Sequence, residues 1–124
     1  LSQHAGFVQG TLSSHSYQDS TVVEDEGAMR AADLKQNYAM LLQNHGLLVV
    51  GRTAAEAFTY HYYLEMACKI QVDILSTTNN PIEITDDAMK ALHQWGSPAA
   101  GPHGHLQWPA LMRMLGREQP DYRN

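Results

Sequence analysis

The segment 41–58 constrains the fold of this chain more than any other part of the sequence. It reads LLQNHGLLVVGRTAAEAF, with two apolar stretches, a short polar turn between them and a helix start after them. Asn44 and Gly46 favour a turn, because Gly adopts left-handed backbone angles without steric cost and Asn tolerates them. The segment therefore predicts a strand, a tight turn carrying His45, a second strand and a long helix.

His45 is the first functional candidate. A turn between two rigid strands can hold a side chain in one orientation, which a metal ligand or a catalytic group requires. The alternative is an ordinary exposed loop residue, because one histidine does not make a metal site. The local pattern leaves both interpretations open.

The two predicted strands, residues 38–42 and 47–50, are almost continuously apolar. Such strands are typical of sheets covered on both faces, so we expect helices to pack against them. Thr53 and Glu56 have the spacing of a capping box, in which each side chain satisfies a free backbone N–H group at the helix start.

Within the helix that follows, apolar residues recur every three and four positions until residues 79–81 end it. Phe58, Tyr62 and Met66 form a second apolar row on this helix. A helix that contacts both a sheet and another subunit would carry two such rows, so the pattern favours an oligomer.

The rest of the chain contains weaker signals, with no repeat and no low-complexity tract. They predict a short helical or irregular segment at 1–8 with Ser2 as its cap, strands at 11–17 and 21–23, a helix at 26–34, a helix from Thr85 to Gly96, a loop at 97–104, a helix at 108–115 and a polar tail at 118–124.

Composition excludes several classes of function. The 124 residues suffice for one domain, and the 44% hydrophobic content is typical of a globular protein. A net charge of −5 with only eight scattered Lys and Arg residues argues against nucleic-acid and membrane-surface partners. The apolar stretches are too short to span a bilayer, and the start does not resemble a secretory signal.

Cys68 is the single cysteine, so an internal disulfide is impossible. We expect it to be a small core residue rather than a reactive thiol. Together with the missing signals, it favours a cytoplasmic protein.

Other candidate side chains have plain structural explanations. His103 and His105 have the spacing of a ligand pair, but the surrounding Gly and Pro residues favour a flexible loop. His4 and His15 could face a pocket, although nothing local holds them there, and Glu65 could be partly buried. The remaining candidates are expected at the surface or at a helix start: His61, Glu24, Asp25 and Glu26.

Beyond these local patterns, the sequence resembles a known family. The run 41–58, the run YYLEMACKIQ at 62–71, SQHA at 2–5, WPAL at 108–111 and PDYR at 120–123 are similar to the C-terminal portion of the class II aldolase/adducin family. The similarity covers nearly all of the chain, which we interpret as a single, partial domain over residues 1–124.

The resemblance implies a three-layer α/β/α fold around a mainly antiparallel sheet, and assembly as a homotetramer with active sites between subunits. It also implies a divalent metal, typically zinc, held by three histidines, of which the histidine in the Asn-His-Gly turn is one. Here that residue is His45, and Gln43 and Asn44 could support it by hydrogen bonds. The family's other two histidines and its catalytic carboxylate precede the part that this chain resembles, so this chain alone is expected to be inactive.

The implied function is therefore a lyase that cleaves a C–C bond in a small hydroxy-carbonyl compound, by retro-aldol cleavage or decarboxylation, with Tyr122 near a neighbouring active site. A second implied function belongs to a different class. Adducin-type members use this fold as a non-enzymatic interaction module of the cytoskeleton, and such a module would bind no metal.

Overall fold

Three short strands form a mixed sheet at the centre of the structure, a computed structural model that describes residues 1–17 and 25–123. The strands are β1 (Leu12–His15), β2 (Ala39–Leu42) and β3 (Gly46–Val49), in the order β1-β2-β3. β1 pairs with β2 in parallel, and β2 pairs with β3 in antiparallel orientation. The expected α/β class is confirmed, but these strands are evenly divided between the two kinds of pairing because a helical crossover joins β1 to β2.

The described residues also form five α-helices: α1 (Gln3–Val8), α2 (Glu26–Leu34), α3 (Ala54–Thr77), α4 (Asp86–Gly96) and α5 (Gln107–Glu118). The bounds of α2 and the end of α4 agree with the predictions, whereas α5 extends beyond the predicted 108–115. Short 3₁₀ turns cover Gln9–Thr11, Pro98–Ala100 and Pro120–Arg123, so part of the predicted loop and tail is ordered. The strand predicted at 21–23 lies outside the described residues. Among the described helices, none combines the length and the apolar content that a bilayer crossing needs.

Alternation along the strands assigns the two faces of the sheet to different helices. Ala39 belongs to the main core with Tyr60 and Leu64 of α3, and Leu41 packs against the same core. The alternate residues of these strands, such as Met40 of β2 and His15 of β1, face the other side of the sheet. α2 lies on that side, where its Asp33 contacts His15. The crossover helix and α3 therefore cover opposite faces, which gives the three layers.

The main core lies between the sheet, α1 and α3. Phe7, Tyr60 and Leu64 are each 1% exposed, and the Phe7 ring stacks on Tyr63 with centroids 4.1 Å apart. The side chain of Ser2 accepts a hydrogen bond from the backbone of Ala5, as the predicted cap requires. Burial of these large apolar surfaces is the main force that holds the layers together.

The start of α3 differs in one detail from the predicted capping box. Thr53 Oγ1 accepts a hydrogen bond from the Glu56 N–H at 3.1 Å, as expected. The Glu56 carboxylate, however, accepts a hydrogen bond from the Arg52 N–H at 2.7 Å instead of bonding to Thr53. This shift of one residue lets the same carboxylate pair with the Arg52 guanidinium, so the buried charge gains a partner.

Two predictions of burial were too broad. β2 is almost fully buried, but β3 is only partly covered, because it is one of the two outer strands of the described sheet. The last turns of α3 also extend past the sheet: Gln71 and Leu75, which belong to the predicted apolar stripe, are exposed. Periodicity identifies the helix and its face but not the point at which its neighbours end.

Candidate functional site

The β2–β3 hairpin presents His45 at its turn. The His45 N–H donates to the Leu42 carbonyl at 3.1 Å, which closes the turn, and Asn44 adopts a left-handed conformation with φ 56°. Asn tolerates this backbone region better than most residues, which explains why it stands there. The His45 side chain is exposed, and its imidazole has no hydrogen-bond partner among the described residues. The turn predicted from the sequence is therefore present, with a free imidazole at its tip.

Neither neighbour supports the His45 ring in the way suggested by the sequence. The Gln43 side chain donates to Ser14 Oγ at 3.4 Å, across to β1. The Gln43 side chain therefore reaches the neighbouring strand, whereas the His45 side chain is exposed. The described contacts thus contain no hydrogen bond that would orient His45 before a ligand binds.

His45 borders a small cleft at the end of the sheet, with a volume of about 200 Å³. The cleft lies where β1 ends, where the hairpin turns and where α2 begins. It is lined by His15, Ser16, Tyr17, Glu26, Arg30, Leu42, Gln43 and His45. Two imidazoles and an ion pair therefore share one concave surface.

His15 is the second notable residue of this cleft. Its side chain is only 4% exposed, and its Nδ1 lies 2.7 Å from Oδ2 of Asp33, a half-exposed residue of α2. Its Nε2 is buried and has no hydrogen-bond partner in the described structure. The sequence suggested that His15 could face a pocket but indicated no residue that would hold it there. In the structure, Asp33 is that residue.

Glu26 and Arg30 form an ion pair one turn apart on α2, at the edge of the same cleft. The guanidinium Nε of Arg30 is also buried without a partner in the described structure. Sequence reasoning placed Glu26 at a helix start and did not single out Arg30 or Asp33. The spacing of 26, 30 and 33 along one helical face, in a helix that follows β1, was the signal that could have identified them.

The residues of this cleft do not make a complete metal site by themselves. Over residues 1–17 and 25–123, no group of three or more His, Cys, Asp or Glu side chains is placed to hold a metal ion. Three protein ligands are the usual minimum for a zinc ion with catalytic function. His45 can therefore supply one ligand of such a site but cannot hold the metal alone.

His103 and His105 do not form a ligand pair. His103 Nε2 lies 2.9 Å from the Ser97 carbonyl oxygen, and its ring packs edge-on against Phe7. His105 Nδ1 lies 2.5 Å from the Pro102 carbonyl oxygen. Each ring has its own backbone partner, which agrees with the loop interpretation.

The other candidates do not line this cleft. His4 contacts the Tyr63 ring, whereas His61 and Glu65 are exposed on α3. Cys68 is partly buried, and this burial raises the pKa of its thiol, as expected for a structural cysteine. Glu24 lies outside the described residues, and Asp25 caps α2 by accepting from the Ala28 N–H.

A second cluster of polar groups surrounds Glu56, beyond the opposite end of β2. Glu56 is 3% exposed, and its Oε1 accepts from Arg52 Nη2 at 2.7 Å. Hydrogen bonds from Arg52 hold the pKa of the Glu56 carboxyl below its usual value. Burial, followed by the charge of Glu56, raises the pKa of the neighbouring Tyr60 phenol. The Tyr60 hydroxyl is buried without a hydrogen-bond partner in the described structure. Arg52 and Glu56 are paired with each other, and this ion pair ties Arg52 to the start of α3.

The chain is similar in sequence to known proteins. The family model described as Class II Aldolase and Adducin N-terminal domain matches residues 1–72. A Pseudomonas aeruginosa protein named "Putative aldolase class 2 protein" is 35% identical over 99% of this chain, and the match covers 49% of that protein. Alpha-adducin of Rattus norvegicus is 31% identical over 86% of this chain and 16% of its own length.

Solved structures show the same similarity. The crystal structure of an aldolase II superfamily protein from Pseudomonas syringae superposes with a TM-score of 0.87 and 30% identity, over 100% of this chain and 50% of the other. L-fuculose 1-phosphate aldolase from Glaciozyma antarctica shares the fold, with a TM-score of 0.73 and 24% identity over 97% of this chain and 44% of its own. The chain spans about half the length of the aldolase class 2 relatives it matches.

Proposed function

This chain belongs to the class II aldolase and adducin family, and on that premise we propose that it is part of a metal-dependent lyase. The reaction is cleavage of a C–C bond in a small hydroxy-carbonyl compound, by retro-aldol cleavage or decarboxylation. The observation that supports this proposal is the free imidazole of His45 on a hydrogen-bonded hairpin turn, at the edge of a cleft.

His45 would be one ligand of a divalent metal ion, with zinc as our first choice because neutral imidazole is a good zinc ligand. Such an ion, when bound, polarises a carbonyl oxygen as a Lewis acid. The hairpin holds the His45 backbone in place, and the cleft gives a small substrate access to the ring. The remaining ligands would come from residues outside those described, since these contain no complete set.

The test is metal content in the complete protein, with the variant His45→Ala and the matched control His61→Ala, which removes another exposed histidine. We expect native mass spectrometry to show one divalent metal per subunit in the wild type and the control, and none in His45→Ala. The melting temperature without metal should be the same for all three, because neither ring is buried. Stoichiometric metal in His45→Ala would remove His45 from the site.

The alternative is a non-enzymatic, adducin-like interaction module, which the similarity to alpha-adducin supports. The same spectra distinguish the two functions. A wild-type protein that carries no metal after purification in zinc-containing buffer would favour the interaction module.

We further propose that the complete protein is a cytoplasmic homo-oligomer, most simply a tetramer, without nucleic-acid or membrane partners. Phe58 and Tyr62 of the second apolar row on α3 are 46% and 51% exposed. They line a largely apolar groove of about 630 Å³ between α3 and α5. An uncovered apolar face of this kind is typical of a surface that another subunit covers. In such an oligomer, we propose that Tyr122 lies near the active site of a neighbouring subunit.

A further inference from the structure

The Nε2 nitrogen of His15 is buried and has no hydrogen-bond partner in the described structure. A buried polar atom without a hydrogen bond is costly, and native structures seldom retain one without a reason. The other ring nitrogen of His15 is well paired with Asp33 at 2.7 Å. One nitrogen of the ring is therefore paired, and the other is buried without a hydrogen-bond partner in the described structure.

Asp33 also determines which nitrogen of a neutral His15 carries the proton. An ionised carboxylate can only accept hydrogen bonds, so the proton of the neutral ring lies on Nδ1. Nε2 then presents a lone pair. A carboxylate that orients an imidazole in this way is a common device in sites where the imidazole acts on a ligand.

His15 and His45 belong to the same end of the sheet. The His15 carbonyl accepts from the Gln43 N–H at 3.0 Å, which ties the end of β1 to the hairpin turn. Both histidines line the cleft of about 200 Å³, together with Arg30, whose Nε–H is also unpaired in the described structure. Two residues that line this cleft thus each carry a buried nitrogen without a hydrogen-bond partner: His15 an acceptor and Arg30 a donor.

A hydroxyl group is the ligand group that matches this pair, because it donates one hydrogen bond and accepts others. We propose that His15 Nε2 accepts a hydrogen bond from a hydroxyl group of the hydroxy-carbonyl ligand that binds beside His45. Asp33 is then a positioning residue that keeps the lone pair of His15 directed at the ligand. Because Nε2 is itself buried, the proposal requires the cleft wall to move when the ligand binds. This assignment rests on the proposed function and adds the residue that recognises the hydroxyl.

The experiment compares two probes, hydroxyacetone and acetone, which differ by one hydroxyl group. Their dissociation constants are measured on the complete, zinc-loaded protein by ligand-detected NMR. Loss of one hydrogen bond corresponds to a change of up to about tenfold in affinity. We expect the wild type and the control His61→Phe to prefer hydroxyacetone by about that factor, and His15→Phe to bind both probes alike.

A second measurement needs no substitution of the buried ring. In ¹⁵N spectra of wild-type protein, we expect the neutral His15 ring to carry its proton on Nδ1, and its Nε2 signal to shift with hydroxyacetone but not with acetone. In Asp33→Asn, whose side chain is half exposed in the wild type, we expect the two tautomers to mix and the preference for hydroxyacetone to fall. A histidine with a purely structural role would show no probe-dependent shift.

The outcomes separate this inference from the proposed function. If the protein binds zinc but the Nε2 signal of His15 does not shift with either probe, the assignment of His15 is overturned and the lyase proposal stays intact. An Nε2 shift with hydroxyacetone in a protein that binds no metal would support His15 as a hydroxyl-binding residue and contradict the metal-dependent lyase. Absence of both zinc and the shift would overturn both.

Discussion

At the scale of single residues, Glu56 shows how one buried charge is stabilised. Its carboxylate accepts hydrogen bonds from the Arg52 backbone and guanidinium and is almost inaccessible to solvent. We expect Glu56→Gln to lower the free energy of unfolding by about 1.5–3 kcal/mol, because hydrogen bonds to a charged group are lost. The matched control is Glu65→Gln, an exposed position of the same helix, which should change it by less than about 0.5 kcal/mol. Urea unfolding of both variants tests this, and equal effects would contradict it.

The same residue predicts a dependence of stability on pH. The pKa of Glu56 is lower in the folded protein than its ordinary value of 4.5. The folded state therefore binds fewer protons, so the contribution of Glu56 to stability is complete above the pKa of the unfolded state. It is lost as the pH falls through the lower pKa of the folded state. The difference in unfolding free energy between wild type and Glu56→Gln should shrink below about pH 4.5. Two parallel curves across the acid range would contradict the shifted pKa.

At the scale of elements, Gly96 sets the distance between α1 and α4. A Cβ atom at this position would lie 2.0 Å from the Phe7 carbonyl oxygen, so the helices could not approach as closely. We expect Gly96→Ala to destabilise the protein by about 1–3 kcal/mol through overpacking.

The control for this prediction is Gly27→Ala in α2, where a Cβ atom would meet nothing within 4 Å. There the higher helix propensity of Ala should stabilise the protein by about 0.5–1 kcal/mol. Thermal unfolding of the two variants therefore gives shifts of opposite sign. Stabilisation by Gly96→Ala would show that the close packing of α1 and α4 does not matter.

At the scale of the whole molecule, the exposed aromatic row on α3 predicts that negative charges placed in this row weaken the association of subunits. Phe58 also contacts Trp108 of α5, with ring centroids 5.7 Å apart, so the row continues onto a second helix. We expect the double variant Phe58→Asp/Tyr62→Asp of the complete protein to sediment as a smaller species than the wild type, because two charges cannot be buried unpaired in an apolar interface. Ile82→Asp, at a residue 94% exposed and away from the groove, should sediment as the wild type. An unchanged sedimentation coefficient in the double variant would exclude this face as a subunit interface.

The elements that the sequence predicted well depend on residues that are close together in the chain. The Asn44 turn, the Thr53 cap and the bounds of α2 follow from local conformational preferences and local hydrogen bonds. The family also followed from contiguous motifs, in particular the run 41–58. Such features can be predicted from sequence because their physical causes lie within a few residues.

Other features were decided only when distant elements packed. Asp33 contacts His15 across 18 positions of the chain, and no pattern around either residue indicates that pair. The partner of Glu56 and the exposed end of α3 likewise depend on neighbours rather than on spacing. The sequence alone therefore determined the hairpin, the helices, the family and His45 as a candidate ligand. Only the tertiary structure decided that His15, Arg30 and His45 share one cleft, because a side chain's surroundings are set by every element that packs against it.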